Sequence, residues 1–215
     1  MTAEQRAAGA SPRYARAGTF RNSWSVIEIS DTYDYTYIRT AKDFVTRKWH
    51  AFPVTDWASW EERMAWRHDP DDPARLPERP AEELGAMEVS GRAVTVRING
   101  PFWQMREWVG SEGLCLLMAD GPDLVRDMAE TWRVFVLKLL ERVLRLVRVD
   151  IVHLSEDMAY KAHSMISPTM ARRYLSPCYQ SWGELLRSYG VPVYAMDSDG
   201  YIADLIPVWL EAGIN

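Results

Sequence analysis

An α/β fold built on a parallel sheet is predicted, and three observations carry that prediction. Over residues 149–213 the chain twice runs an apolar strand pattern into an acidic loop and then into a capped helix. A further strand-then-helix unit begins near Ala93, so the two patterns alternate through the C-terminal half. At 215 residues and 47% hydrophobic content, the chain is also long and apolar enough for one domain with a sizeable core. Parallel neighbours need a long crossover, and a helix packed on the sheet supplies it.

The elements follow in order. Residues 1–18, MTAEQRAAGASPRYARAG, carry no apolar periodicity and are expected to be disordered, leaving residues 19–215 as one domain. Between Ser23 and Lys48, β-branched and aromatic residues alternate through Trp24, Val26, Tyr33, Tyr35 and Tyr37. Ser30-Asp31 supplies turn chemistry between them, so an N-terminal antiparallel β-hairpin region is predicted. Thr55 or Asp56 can cap a short helix bearing Trp57, Trp60, Met64 and Trp66, which the proline-rich run DPDDPARLPERP ends. A strand is predicted over 93–98, a short helix over 105–118, and a long helix over 122–147 with Asp120 or Asp123 as cap. Strand 149–154 follows, then a helix opened by Ser167-Pro168, kinked at Pro177 and stopped by Gly190. Strand 191–196 and a last helix through Ile202, Leu205, Trp209 and Leu210 to Gly213 complete the pattern. The next strand should begin where the chain stops, at Ile214-Asn215, and the fold is therefore expected to be truncated.

Composition narrows the function. A net charge of -5, with 25 basic residues against 30 acidic ones, offers no long-range attraction to nucleic acid or anionic lipid. Cys115 and Cys178 are far apart in apolar helical contexts, which indicates neither a disulfide framework nor a thiolate metal site. With no secretory signal or membrane-span pattern, a cytoplasmic protein is expected.

Both a barrel and an open parallel sheet place their site at the carboxyl ends of the strands, so residues 99–103, 155–163 and 197–201 should converge. Glu156, Asp157, Asp197 and Asp199 are the candidate catalytic residues. Two like charges ~4 Å apart repel by roughly 4 kcal/mol at an effective dielectric near 20, so a shared proton or a bound cation would be needed. Asp199 could equally cap a helix and Asp197 serve a turn, whereas Glu156 and Asp157 follow an apolar strand with no cap to serve. Phe102, Trp103, Tyr160, Lys161 and His163 are the candidate substrate-binding residues, with Met105 beside the first two. His153 alternates within an apolar strand and is expected to be a hydrogen-bonded core residue.

Five segments in order, DPDDPARLP, SEDMAYK, ISPTMARRYLSPCY, LLRSYGVPV and DSDGYIADLIPVWLEAG, resemble the uroporphyrinogen decarboxylase (URO-D) superfamily over residues 51–215. The resemblance implies a (β/α)8 TIM barrel, here partial, and either porphyrinogen decarboxylation by a carboxy-lyase or methyl transfer involving a corrinoid or thiol carrier. In the zinc-dependent methyltransferase branch a His-x-Cys-Gly segment follows the strand that corresponds to 191–196. This chain reads Asp197-Ser198-Asp199-Gly200, so no zinc is expected there, and oxygen ligands would suit a harder cation. A mouth lined by four acids would repel a polyanionic porphyrinogen. The expected function is corrinoid-linked methyl transfer on a small substrate, with the corrinoid carried by a partner protein. A truncated barrel that only binds a ligand, or that self-associates through open sheet edges, is the alternative.

Overall fold

The computed structural model describes residues 18–21, 26–29, 47–89 and 91–215. The chain divides into two compact units, Met1–Thr55 and Asp56–Asn215. In the first, β1 (Gly18–Arg21), β2 (Val26–Ile29) and β3 (Arg47–Ala51) form an antiparallel sheet in that order. Val26 pairs with both Arg21 and Ala51, and a bulge at Val26/Ile27 shifts the second ladder. Residues 1–17, Trp24 and the tyrosines at 33, 35 and 37 lie outside the described residues.

The second unit opens on α1 (Trp57–Arg63), where Asp56 Oδ1 accepts from Ser59 N at 2.8 Å and Ser59 Oγ accepts from Asp56 N at 3.0 Å. This reciprocal box makes Asp56 the cap. Two 3-10 turns (Ala65–Arg67 and Pro73–Arg75) follow, and then α2 (Pro80–Glu88), a helix the proline-rich reading does not anticipate. Pro80 is its first residue, where a missing N–H costs nothing, and Glu82 and Glu83 favour its positive end. After β4 (Thr95–Asn99), the expected single helix is two, α3 (Pro101–Val109) and α4 (Ser111–Asp120), separated at Gly110. Neither Asp120 nor Asp123 caps α5 (Pro122–Leu144); Gly121 holds that position, with Pro122 in the first turn. β5 (Ile151–Ser155) is followed by α6 (Pro168–Tyr174), where Ser167 Oγ accepts from Met170 N at 3.2 Å. The predicted kink is a full break at Leu175, with Pro177 in the first turn of α7 (Ser176–Ser188). β6 (Val193–Asp197) and α8 (Ile206–Glu211) complete the unit.

β4, β5 and β6 form a parallel sheet in sequence order. Register fixes its two faces. Val152 pairs with Val96 and Tyr194, and Tyr194 donates its hydroxyl to Tyr179 O of α7 at 3.3 Å, so these residues face the helices. A Cβ at Gly183 of α7 would stand 3.3 Å from the Tyr194 ring, which shows how closely that helix lies. The opposite face carries Thr95, Arg97 and Asn99, then Ile151, His153 and Ser155, then Val193, Ala195 and Asp197. These residues are exposed or half-buried. Asn215 N donates to Tyr194 O at 3.0 Å, so the last residue begins to pair with the outer edge of β6.

On the helix side, Trp60, Trp108, Trp132 and Phe135 surround His68, whose ring meets Trp108 at 4.9 Å and Phe135 at 5.4 Å between centroids. Burial pushes His68 down to about 4, helped by the nearby Arg75 and Arg67 charges and opposed by its 2.9 Å bond to Met64 O. The imidazole is thus neutral in the folded state and protonates more readily when unfolded. Its contribution is full above pH 6.5 and is lost as pH falls from there towards about 4. At 1.36 kcal/mol per unit, that loss is about 3 kcal/mol. His68→Phe should be less stable than wild type at pH 7 and should close or reverse that gap at pH 4.5. A Tm difference that does not change across this range in thermal melts would refute the linkage.

Candidate functional site at the carboxyl ends of the strands

The three parallel strands end level, since Asn99, Ser155 and Asp197 share one register row. Past that row the backbone keeps pairing. Gly100 N donates to Ser155 O at 2.9 Å, and Glu156 N donates to Asp197 O at 3.0 Å. The loops after β5 and β6 are then joined bond by bond. Met158 N donates to Ser198 Oγ at 3.1 Å, Asp199 N to Asp157 Oδ1 at 3.0 Å, and Tyr201 N to Tyr160 O at 2.8 Å. Within the first loop, a bridge between Ala159 and Ser164 and the 2.8 Å bond from Tyr160 N to His163 O close a tight hairpin. Gly200 sits against it at φ +86°, where a Cβ would lie 2.6 Å from Tyr160 O and 2.7 Å from Ala159 O. Only glycine meets both demands there.

Glu156 turns away from this rim. It is fully buried, and its Oε1 accepts from Phe102 N at 3.1 Å and from the Tyr179 hydroxyl, while Oε2 accepts from Trp103 N at 2.8 Å. Phe102 N and Trp103 N are the first free amides of α3, because Pro101 has none and Gly100 has no side chain to cap them. A carboxylate from the next strand therefore caps this helix, where the dipole favours negative charge. The expectation that Glu156 has no cap to serve is corrected here: the helix it closes follows β4, not β5. Burial pushes the carboxyl up to about 7, opposed by the Tyr179, Trp103 and Phe102 hydrogen bonds and by the Arg106 charge.

The other candidates fall into two groups. Asp157 is half-buried and Asp197 and Asp199 are exposed, all at the rim. Asp199 does not cap α8, which begins at Ile206 behind Leu205. Tyr160 is 74% exposed, and Lys161 and His163 are exposed beside it. Phe102 instead has no exposure, so its side chain belongs to the core and only its amide reaches a site candidate. Met105 is equally buried, whereas Trp103 is half-buried under the Arg106 guanidinium, 4.3 Å from its ring centroid. Arg106 also donates to Asp157 O at 2.8 Å, which ties α3 to the rim.

Sequence reasoning set aside His153, yet the structure puts it on the face opposite the helices with 22% of its side chain exposed. Its Nε2 is 4.0 Å from Asp197 Oδ1, and its buried Nδ1 has no hydrogen-bond partner. Strand alternation carried that signal, because Val152 and Leu154 claim the core face. Tyr179, Arg106 and Gly100 were also missed, and no local pattern marks them. Among the described residues, no three His, Cys, Asp or Glu side chains are arranged to hold a metal ion. A groove of about 340 Å³ runs along β4 on the helix side, lined by Val96, Ile98, Trp132, Phe135, Leu139 and Val143 among others. Its walls are mostly aliphatic and aromatic, whereas the candidate acids and His153 stand at the strand ends or on the other face. No described helix is long and apolar enough to cross a membrane.

No protein-family model matches the chain, and no curated protein does. Among solved structures, it is similar to a methyltransferase from Methanosarcina mazei, at 13% identity and a TM-score of 0.49 over 87% of this chain. The match covers 50% of that methyltransferase, so the chain spans about half its length.

Proposed function

We propose that the Asp56–Asn215 unit is a (β/α)-barrel-type methyltransferase unit that works on a small molecule at the carboxyl ends of β4, β5 and β6. The observation that carries the proposal is the joined rim. Two loops from adjacent strands are held together by Asp157 and Ser198, which brings Asp157, Asp197 and Asp199 to the mouth of one sheet. Of the two acids expected to move protons, Asp157 is the one with solvent access, so it takes the acid–base role and Glu156 the structural one. Asp197 and Asp199 bind substrate. The methyl-transfer chemistry rests on the sequence resemblance to the URO-D superfamily, as does a corrinoid on a partner protein as methyl carrier.

Asp157→Asn keeps an oxygen for Asp199 N, so the loops should stay joined while proton transfer is lost. With the full chain, reduced corrinoid and a panel of small methylated donors, methyl–cobalt formation can be followed by absorbance. The variant is expected to turn over on the order of 100-fold more slowly with its melting curve intact. Wild-type protein inactive with the whole panel, or an unchanged rate in the variant, would sink the assignment.

A further inference from the structure

The face of the sheet away from the helices carries a graded charge pattern that the rim acids alone do not explain. Midway along it, Arg97 and His153 are in-register neighbours on β4 and β5. Arg97 is exposed, and among the described residues no hydrogen bond or ion pair involves its guanidinium. The His153 ring is 22% exposed on this face, and its buried Nδ1 has no partner, although such buried polar atoms are rarely left unpaired. Two nitrogen-rich side chains side by side, neither hydrogen-bonded to an acceptor among the described residues, form a basic floor. Among the described residues, Asp197 is paired with His153 only at the loose distance of 4.0 Å, with 59% of its side chain exposed.

One step towards the strand ends the sign reverses. Asp197 and Asp199 are exposed there, and Asp157 joins them. Two exposed aromatic residues stand on the same joined loops, Tyr160 at 74% and Tyr201 at 47%, and Tyr201 N bonds Tyr160 O. Neither ring packs on another aromatic among the described residues. Carboxylates beside open aromatic faces suit an ammonium group, above all a methylated one, which is weakly hydrated and attracted by the ring quadrupole. From strand spacing and rise, the Arg97 and Asp197 backbones stand about 12 Å apart.

We infer that this face binds a small zwitterion, its carboxylate inward on Arg97 and His153 and its methylated ammonium group outward between the rim acids and Tyr160 and Tyr201. The inference rests on the small-molecule methyl-transfer reading of the same site and names its substrate class. Neutral donors and polyanions fit the two-signed site poorly, because each leaves one end's charges unanswered.

Calorimetry on the full chain tests it with three kinds of ligand: trimethylammonium carboxylates with one or three methylenes between the charges, a trimethylammonium alcohol, and a plain carboxylate. At least one zwitterion should bind ten-fold or more tighter than either single-charge analogue. Arg97→Gln should lose at least ten-fold for that zwitterion while leaving the alcohol unchanged; Asp197→Asn should weaken both. Arg97→Lys, which keeps the charge, should recover part of the loss, and thermal melts confirm that each variant folds. Absent zwitterion binding, or equal affinity for all three ligands, overturns the site. Charge-dependent binding without loss of a methyl group keeps the site and removes the methyl-transfer reading. Methyl transfer from other donors without zwitterion binding does the reverse.

Discussion

Glu156→Gln should cost about 3 kcal/mol and lower the melting temperature by about 10 °C, although the two side chains have nearly the same shape. The reason is the number of donors. Two amides of α3 and the Tyr179 hydroxyl all point at this one carboxyl group. Even protonated, it can send its proton to the tyrosine oxygen and still accept from both amides, because a hydroxyl oxygen keeps a lone pair. A glutamine nitrogen accepts nothing. Whichever way the amide is turned, one N–H of α3 meets another N–H in a dry interior, and the helix start loses a bond with no water to replace it. Thermal melts monitored by circular dichroism will decide. A shift of under 2 °C at pH 5, where the carboxyl is still largely protonated, would mean that Glu156 does not hold α3 in place.

The pH profile sharpens this result. Because Glu156 is raised to about 7, its contribution is present below pH 4.5 and is lost as pH rises through 7. His68 behaves in the opposite sense over nearly the same window. In wild type the two linkages oppose one another, and removing Glu156 leaves the histidine's rise in stability with pH uncompensated.

Gly100→Ala should be as damaging, for a purely steric reason. At φ -68° and ψ 167° the backbone of Gly100 is open to any residue. A Cβ would, however, stand 2.2 Å from Glu156 Cδ and 2.3 Å from its Cγ. Three donors hold the carboxyl from beyond, so the side chain cannot step aside without breaking the cap. The expected loss is about 3 kcal/mol, at the upper end of overpacking costs. The two sites must then couple. In a Glu156→Ala background the obstruction is gone, so adding Gly100→Ala should cost less than about 1 kcal/mol more, far from additive. Additive losses across the cycle, measured by urea unfolding, would show that the two positions act independently.

Much of the scaffold was legible because its signals are local. Ser167-Pro168 marks a helix start by side-chain geometry alone, and the spacing from Leu124 to Val143 defines α5 without reference to any neighbour. The nearly unbroken apolar run before Ser155 announces a strand buried on its helix side. Less visible was α2, since prolines that read as breakers also suit a helix's first turn. The positions of the candidate acids were legible more than their surroundings. Strand ends locate Asp157, Asp197 and Asp199 at the rim, but which of two adjacent acids turns inward depends on whose amides lie opposite. Those amides belong to α3, more than fifty positions earlier. His153 needed only its alternation with Val152 and Leu154, outweighed by the apolar character of its surroundings.

The close approach of Gly200 to the Tyr160 turn also has a mechanical meaning. With Asp199, Tyr201 and Met158 bonded across the same seam, the loops after β5 and β6 have no hinge between them. A displacement of one loop therefore breaks these bonds unless the other loop moves with it.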